Sequence, residues 1–332
     1  MLNILIDLGL LGAAGYGFHN YRNYWTHRQL APTAATVFDG QLFQVGETDI
    51  ARRHSHQQST KTIVCFPGFL EDQRYFLELY KNSAVELIII NNADYHSAFS
   101  LKNAVTPDWG QNNPYKVSTI EHDAYILCEV IENLVSTEDI LIHGHSRGAA
   151  VALEAAQQRP ELMKNATALL EAPVLPQAKT VGAFDLFMKL GGYYFFPLFF
   201  GVVRNLPEKY RTSPTFVYPH TEEKRTILAT SPLVPKRYKT AIINMINIAE
   251  WQKRNFYDVY SHFKEIRIVI PERDAVLSRR AMLNSALKAK NVNIIRTKGT
   301  NHFISVEQPA TILAAAGLSV SHQTENCELG LA

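Results

Sequence analysis

Gly144-His145-Ser146-Arg147-Gly148 stands near the middle of the chain, between the apolar run Ile140-Leu141-Ile142 and an Ala-rich helical pattern that begins at Ala149. A G-x-S-x-G pentapeptide between a strand and a helix is typical of a nucleophile elbow, a sharp turn that exposes a serine hydroxyl. Gly144 and Gly148 fit this interpretation because side chains at those positions would collide with the neighbouring helix or strand. The stretch therefore predicts that Ser146 is a nucleophile. An ordinary glycine-rich loop is the alternative.

Size and composition are those of a well-packed globular protein. The 332 residues are 46% hydrophobic and 19% charged, which is enough for one large α/β domain or two ordinary domains. The net charge of +2 comes from interspersed acidic and basic residues, so the sequence predicts no nucleic-acid partner. The basic stretch Arg52-Arg53-His54 is expected in a solvated turn. Three cysteines lie far apart without C-x-x-C spacing, and we expect no metal site and no cofactor.

Residues 2–18 form an N-terminal segment that is apolar or glycine except at Asn3 and Asp7. Its length is at the short limit for a membrane-spanning helix, and Asp7 is costly at membrane depth. Four aromatic residues have the spacing of an interfacial belt: Tyr16, Tyr21, Tyr24 and Trp25. Three hypotheses stay open: a membrane anchor, an interfacial helix, and a helix docked on the body. The protein is expected to be cytoplasmic or membrane-associated through residues 2–18.

Short apolar runs alternate with helical patterns from about residue 30 onward. The predicted strands are Ala35–Val37, Gln41–Val45, Thr62–Phe66, Glu86–Asn91, Asp139–His143, Ala166–Leu170, Ile266–Ile270 and Val292–Thr297. The predicted helices are Asp72–Lys81, Val117–Leu134, Arg147–Gln158, Ser278–Lys290 and Pro309–Ala315. Continuous apolar strands between helices are typical of a mostly parallel sheet with helices on both faces. The first two strands are expected to form an antiparallel edge.

One interval of about ninety residues, 173–262, breaks this alternation and carries no strand pattern. Because so long a structureless stretch is improbable inside a compact domain, we expect a helical unit of its own. Its first part holds the aromatic residues Phe184, Phe187, Tyr193, Tyr194, Phe195, Phe196, Phe199 and Phe200. Such a cluster is expected to roof an apolar cavity or to contact lipid. The predicted organisation is an N-terminal segment (1–28), a core in two parts (29–172 and 263–318), the helical unit (173–262) and a tail (319–332).

An activated serine needs a base, and the base needs an acid that orients and supports it. Parallel sheets place such groups in the loops after the carboxyl ends of their strands. Asp274 lies in the loop that follows the run Ile266–Ile270, and it is the predicted acid. Glu171, at the end of an earlier strand, and Glu272 are the alternatives.

His302 is the predicted base. It lies in a loop that follows the run Val292–Thr297, a position unlike that of a histidine packed in an apolar core. His143 and His145 flank the elbow itself, and from there their rings cannot readily swing back onto Ser146.

A developing oxyanion needs two backbone N–H donors that are already aimed at it. The amide of Arg147 is one predicted donor, because it lies at the positive end of the helix after the nucleophile. The second is expected from the loop after Thr62–Phe66, where Gly68 lets the backbone turn inward. Phe69 is the predicted donor there, and Leu70 is the alternative.

The elbow, the Pro67-Gly68-Phe69 loop, the chain order Ser, Asp, His and the long insertion together resemble the α/β-hydrolase superfamily over residues 35–318. The resemblance implies an eight-stranded sheet, a triad of Ser146, Asp274 and His302, and a helical cap over the active site. Many members have His-Gly where this chain has Pro67-Gly68, and a neutral residue where it has Arg147. The Arg147 side chain could contact an anionic substrate group or form a structural ion pair. The elbow lacks the aspartate nucleophile of dehalogenases and epoxide hydrolases, which disfavours those two chemistries.

The predicted function is hydrolysis of carboxylic esters with a hydrophobic acyl chain, of the esterase, lipase or lysophospholipase type, through an acyl-enzyme on Ser146. The aromatic cluster and the apolar N-terminus both favour a lipid-like small-molecule ester and a possible membrane contact. A thioesterase or an acyltransferase would use the same residues. A member of the fold that binds a hydrophobic ligand without catalysis is the alternative of another class.

Overall fold

Eight strands form the central sheet of this computed structural model, which describes residues 2–55, 59–180, 186, 188–207, 210 and 222–318. The strands are β1 Gln41–Val45, β2 Thr48–Arg53, β3 Lys61–Phe66, β4 Glu86–Ile90, β5 Asp139–His145, β6 Thr167–Glu171, β7 Glu265–Ile270 and β8 Val292–Arg296. Their order across the sheet is β1-β2-β4-β3-β5-β6-β7-β8. β1 pairs antiparallel with β2 and β2 antiparallel with β4, while the five remaining pairs are parallel. The predicted fold class, a mostly parallel eight-stranded sheet, is confirmed.

Helices cover both faces of this sheet. The α-helices among the described residues are α1 Leu2–His27, α2 Arg74–Leu79, α3 Ile120–Leu134, α4 Arg147–Gln158, α5 Pro160–Met163, α6 Tyr193–Asn205, α7 Glu222–Thr230, α8 Tyr238–Arg254, α9 Arg279–Ala286, α10 Ile304–Glu307 and α11 Pro309–Ala315. The larger apolar cluster joins α3 and α4 to one face, and a second cluster joins α2 and α11 to the other. Burial on both faces explains why the central strands read as continuous apolar runs.

The antiparallel edge differs from the one predicted. Residues 35–37 form no strand and contribute only an isolated bridge from Thr36 to Phe99. The edge partner of β1 is instead β2, which contains Arg52 and Arg53, so the expected solvated turn is wrong at these two residues. Arg52 is held in the strand by Glu86 on β4, whose Oε1 accepts hydrogen bonds of 2.9 and 2.6 Å from its guanidinium.

The interval 173–262 is helical in its described part and holds α6, α7 and α8, without any strand among those residues. Phe184 and Phe187 of the predicted aromatic cluster lie outside the described residues, as does the tail 319–332. We call residues 173–262 the insertion, because they separate β6 from β7.

The N-terminal helix α1 has two halves with different surroundings. Near its C-terminal end, the Phe18 ring lies 5.9 Å from the rings of Tyr194 and Phe195, and Arg22 Nε donates a 2.6 Å hydrogen bond to the Tyr194 carbonyl. Near its start the apolar side chains are exposed by half or more: Ile4, Leu5, Ile6, Leu8, Leu10 and Leu11. In the described part of the chain, no helix combines the length and the apolar character that crossing a membrane requires.

Candidate active site

The candidate nucleophile, base and acids lie at or just beyond the carboxyl ends of parallel strands. Ser146 follows β5, Glu171 ends β6, Asp274 follows β7 and His302 follows β8. Since these strands are neighbours in the sheet and run in the same direction, their ends form a single rim. The sheet therefore brings together residues that are up to 156 positions apart in the chain.

Ser146 has the strained backbone that an elbow requires. Its φ of 50° and ψ of −112° lie outside the regions that residues with a side chain usually occupy. A Cβ on Gly144 would stand 2.5 Å from the Gly148 carbonyl oxygen, and a Cβ on Gly148 would stand 1.9 Å from the carbonyl oxygen of Phe66. The two glycines therefore allow β5, α4 and the end of β3 to approach each other at backbone contact.

A chain of hydrogen bonds joins the serine, the histidine and the aspartate. His302 Nε2 lies 3.1 Å from Ser146 Oγ, and His302 Nδ1 lies 2.8 Å from Asp274 Oδ2. The other carboxylate oxygen of Asp274 accepts the backbone amides of Val276 at 2.7 Å and Leu277 at 2.8 Å. These amides fix the orientation of the carboxylate, so that Nδ1 of His302 faces Asp274 and Nε2 faces the serine hydroxyl.

Asn301 is a neighbour that the sequence pattern did not single out. Its Oδ1 accepts the amide of His302 at 2.8 Å and the amide of Ala275 at 3.2 Å. One side chain therefore ties the loop of the base to the loop of the acid. The only feature of the sequence that indicated a role for Asn301 was its position directly before His302.

Glu171 does not contact the His302 ring. Its carboxylate accepts hydrogen bonds from the Tyr75 hydroxyl at 2.7 Å and from the amide and hydroxyl of Ser305, both at 2.5 Å. Burial raises the pKa of Glu171, but the nearby imidazoles of His143 and His145 and the Ser305 donor outweigh it and lower that pKa to about 2. Glu171 is thus an ionised carboxylate that joins the end of β6 to α2, through Tyr75, and to α10, through Ser305.

Glu272, the other alternative acid, is also turned away from the imidazole. Its Oε2 accepts the backbone amide of Gly299 at 2.5 Å, in the loop that leads to His302. Of the three predicted carboxylates, the structure brings only Asp274 to the histidine.

The backbone amides of the loop after β3 differ in their hydrogen-bond acceptors. The Gly68 amide donates to Glu71 Oε2 at 2.8 Å, and the Leu70 amide donates to the Tyr95 hydroxyl at 3.2 Å. Within the described residues, the Phe69 amide has no acceptor. This pattern favours Phe69 over Leu70 as the donor from this loop.

The Arg147 side chain points into the protein and not toward a substrate. It is fully buried, and its Nη1 lies 2.8 Å from Asp123 Oδ2 and donates to Asn92 Oδ1 at 2.6 Å. Of the two roles expected for this side chain, its contacts are those of a structural ion pair, and its full burial leaves no exposed charge for an anionic substrate group. Its backbone amide, and not its side chain, is the group predicted to act next to Ser146.

Helices of the insertion pack against the loop that carries Phe69. The side chain of Phe69 joins an apolar cluster with Phe196 on α6 and with Ala241 and Met245 on α8. Aromatic and aliphatic groups of the insertion therefore lie next to the candidate oxyanion donor.

Comparison with known proteins agrees with this architecture. The sequence matches the model of the alpha/beta hydrolase family over residues 63–316. No curated protein matches it.

Solved structures with the same fold share little sequence with the chain. An esterase from Exiguobacterium antarcticum superimposes with a TM-score of 0.59 at 12% identity, covering 84% of this chain and 98% of that one. A thermophilic esterase from Thermogutta terrifontis gives 0.55 at 15% identity, covering 87% and 96%. An N-formylmaleamic acid deformylase from Pseudomonas putida gives 0.58 at 11% identity, covering 84% and 100%. Since the family model spans well over half of its length, the chain belongs to the alpha/beta hydrolase family.

Proposed function

We propose that the protein is a serine hydrolase that cleaves carboxylic esters with a hydrophobic acyl chain. The observation that carries the proposal is the hydrogen-bonded chain from Ser146 Oγ through the His302 ring to Asp274 Oδ2. A serine hydroxyl alone is a weak nucleophile, and a base with an acid behind it is what activates one.

The proposed reaction has two halves. Ser146 Oγ attacks the ester carbonyl while His302 Nε2 takes its proton, and the amides of Phe69 and Arg147 donate to the developing oxyanion. His302 then gives the proton to the leaving alcohol, which departs and leaves the acyl group on Ser146. Water attacks this acyl-enzyme with His302 again as the base, and the carboxylic acid is released. Asp274 stabilises the imidazolium that forms in each half.

The apolar surroundings support a hydrophobic acyl chain. The cluster of Phe69, Phe196, Ala241 and Met245 lies beside the proposed oxyanion donor, where the acyl group of a bound ester would be held. We propose that the insertion acts as the cap over this group. The two esterases of the same fold agree with an ester substrate, whereas thioester cleavage, acyl transfer and ligand binding without catalysis remain the alternatives.

A fluorophosphonate probe and a series of p-nitrophenyl esters test the proposal together. The folded protein should be labelled, Ser146→Ala should not, and turnover should be fastest with medium or long acyl chains. Absence of labelling in the folded wild type would refute the enzyme, and a preference for acetate would refute the hydrophobic acyl chain.

We also propose that the first half of α1 lies in a lipid surface that supplies the substrate. Exposed apolar residues surround this half on every side, so no single partner face would cover them, while a bilayer would. Arg22 lies in the second half of α1, on the side of the protein body and 4.4 Å from the ring of Tyr194, where a polar and aromatic boundary to the lipid is expected.

Replacing Ile4, Leu8 and Leu11 with serine tests this membrane contact. These side chains are 60 to 70% exposed, so the change should leave folding and hydrolysis of a soluble ester unaltered. Burial of each side chain in the lipid contributes about 1.5–3 kcal/mol to the free energy of membrane binding. The affinity for anionic vesicles, measured by co-sedimentation, should therefore weaken at least about tenfold per replaced side chain. Val37→Ser, at a residue that is 92% exposed, is the matched control. Unchanged vesicle binding by the triple variant would contradict the proposal.

A further inference from the structure

The side chains of His145 and Arg147, on either side of Ser146, are each connected to Gly68 through one further side chain. Gly68 belongs to the loop Pro67-Gly68-Phe69 after β3, which we call the oxyanion loop. His145 Nδ1 lies 2.7 Å from Glu71 Oε2, and this oxygen accepts the Gly68 amide at 2.8 Å. Arg147 Nη1 donates to Asn92 Oδ1 at 2.6 Å.

Asn92 completes the second connection. Its Nδ2 donates a 3.0 Å hydrogen bond to the carbonyl oxygen of Gly68. The Gly68 amide is therefore connected to His145 through Glu71, and the Gly68 carbonyl oxygen is connected to Arg147 through Asn92. Gly68 directly precedes Phe69, whose amide is the proposed oxyanion donor.

The contacts of His145 require a charged ring. Its Nδ1 faces the Glu71 carboxylate, and its Nε2 lies 2.9 Å from the backbone carbonyl of His302. Both partners are acceptors, so each ring nitrogen must carry a proton for both hydrogen bonds to form. The ring is fully buried, and an imidazolium is stable there only because a carboxylate is paired with it.

The same ring also reaches the loop of the base. Its hydrogen bond to the His302 carbonyl fixes the backbone of the residue whose side chain accepts the Ser146 proton. A stacked contact with Tyr75, 4.7 Å between ring centroids, holds the imidazole from α2. His145 thus links the elbow, the oxyanion loop and the base loop.

We propose that His145 with Glu71, and Arg147 with Asn92, form a clamp that positions Gly68 and thereby aims the Phe69 amide at the oxyanion. The side chains of all four are positioning groups, since none of these side chains contacts the reacting atoms; the Arg147 backbone amide keeps its separate role as a proposed oxyanion donor. The inference rests on the proposed function and assigns a role to the charged Arg147 side chain. A clamp of this kind is needed because an oxyanion donor acts only if its direction is set before the transition state forms.

The ionisation of His145 gives the clamp a pH limit. Burial lowers the pKa of His145, but the Glu71 carboxylate outweighs it and raises that pKa to about 9. The other titratable groups that face this ring or its partner are Tyr75, Tyr95, His143, Glu171 and His302. The clamp is therefore intact at neutral pH and is lost as the pH rises through about 9.

Three variants test the clamp kinetically: Glu71→Gln, His145→Gln and the two combined. Each should lower kcat by about 10- to 100-fold, which is less than the loss of a whole oxyanion donor, while KM stays within about twofold. Because the two residues act as one unit, the double variant should lose no more than the worse single variant. In Glu71→Gln the alkaline fall of kcat should begin about 1–3 pH units earlier than in the wild type.

Glu154→Gln is the control for a merely structural loss. Glu154 is a buried carboxylate that accepts the Trp251 indole N–H at 2.8 Å, far in the chain from the oxyanion loop. This variant should lower the melting temperature without moving kcat or the alkaline limb. A kcat within about twofold of wild type in the folded Glu71→Gln protein, or losses that multiply in the double variant, would overturn the clamp.

Nitrogen NMR of histidine-labelled wild-type protein tests the protonation of His145 that the clamp requires, and it does not depend on the folding of any variant. At pH 7.5 the His145 ring should show two protonated nitrogens, and a neutral ring would overturn the proposal. This measurement is independent of turnover. A failure of the proposed hydrolase, seen as no labelling by fluorophosphonate, is therefore distinguishable from a failure of the clamp.

Discussion

Gly148→Ala is the sharpest test of how the elbow is built. The added Cβ would stand 1.9 Å from the Phe66 carbonyl oxygen and 2.7 Å from its carbonyl carbon, whereas ordinary contacts begin at 3.4 Å. Both obstacles are backbone atoms of β3, so no side chain can rotate away. The start of α4 and the end of β3 must therefore separate by about 1.5 Å.

This separation acts on stability and activity at once. Overpacking costs about 1–3 kcal/mol, and we expect the upper end or more because strand backbone has to move. The Arg147 amide precedes the substituted residue, and the Pro67-Gly68-Phe69 loop follows the displaced strand. Both proposed oxyanion donors shift, and a misplacement of about 1 Å can cost about 100-fold in rate.

The assay combines thermal unfolding with hydrolysis of p-nitrophenyl butyrate. Gly201→Ala is the matched control, because Gly201 lies in α6 and its added Cβ would meet only the Tyr238 hydroxyl, at 3.9 Å. It should keep full activity and gain up to about 1 kcal/mol in stability from helix propensity. If Gly148→Ala has the melting temperature and kcat of the wild type, the close approach of α4 and β3 is not as described and the account of the elbow fails.

Two further predictions concern the carboxylates. Asp274→Asn should lower kcat by about 10³- to 10⁴-fold without unfolding the protein, because an amide facing His302 Nδ1 favours the tautomer that cannot accept the Ser146 proton. Glu171→Gln should instead lower the melting temperature and keep kcat within about tenfold, and the reverse pattern of losses would identify Glu171 as the acid. The pKa of Glu171, lowered to about 2 from 4.5, also predicts a pH dependence of stability. The stability from the ionised carboxylate is fully present above pH 4.5 and is lost as the pH falls through about 2. The difference in melting temperature between wild type and Glu171→Gln should therefore be constant above pH 4.5 and shrink toward pH 2. A difference that stays the same down to pH 2 would contradict this.

The sequence predicted the sheet well where burial alone decides the structure. β1, α4 and α11 begin and end at the predicted residues, because apolar periodicity and the flanking turn residues determine them locally. β2 was missed because its polar residues are stabilised by distant partners: Asp49 by Asn91 and Ser97, and Arg52 by Glu86. Gly46, with a φ of 55° between β1 and β2, was the available signal for this hairpin.

The candidate site shows the same division. Strand ends and chain order predicted that Ser146, Asp274 and His302 would meet, because parallel strands deliver their carboxyl ends to one rim. The partners of His145 and Arg147 could not be predicted, since Glu71, Asn92 and Asp123 come from the β3 loop, the end of β4 and α3. Local pattern carries no information about which buried charges will face each other across a fold.

The packing of Phe69 against the insertion has a consequence for altering substrate preference. Its ring shares an apolar cluster with Phe196 and Met245. A displacement of these insertion residues would therefore also displace the backbone that is proposed to stabilise the oxyanion. Exchanging residues 173–262 for the corresponding segment of another family member would change the proposed acyl-binding surface and disturb the Pro67-Gly68-Phe69 loop in the same step. A graft that keeps Phe196, Ala241 and Met245 as its contact surface, and varies only residues away from Phe69, would separate the two effects.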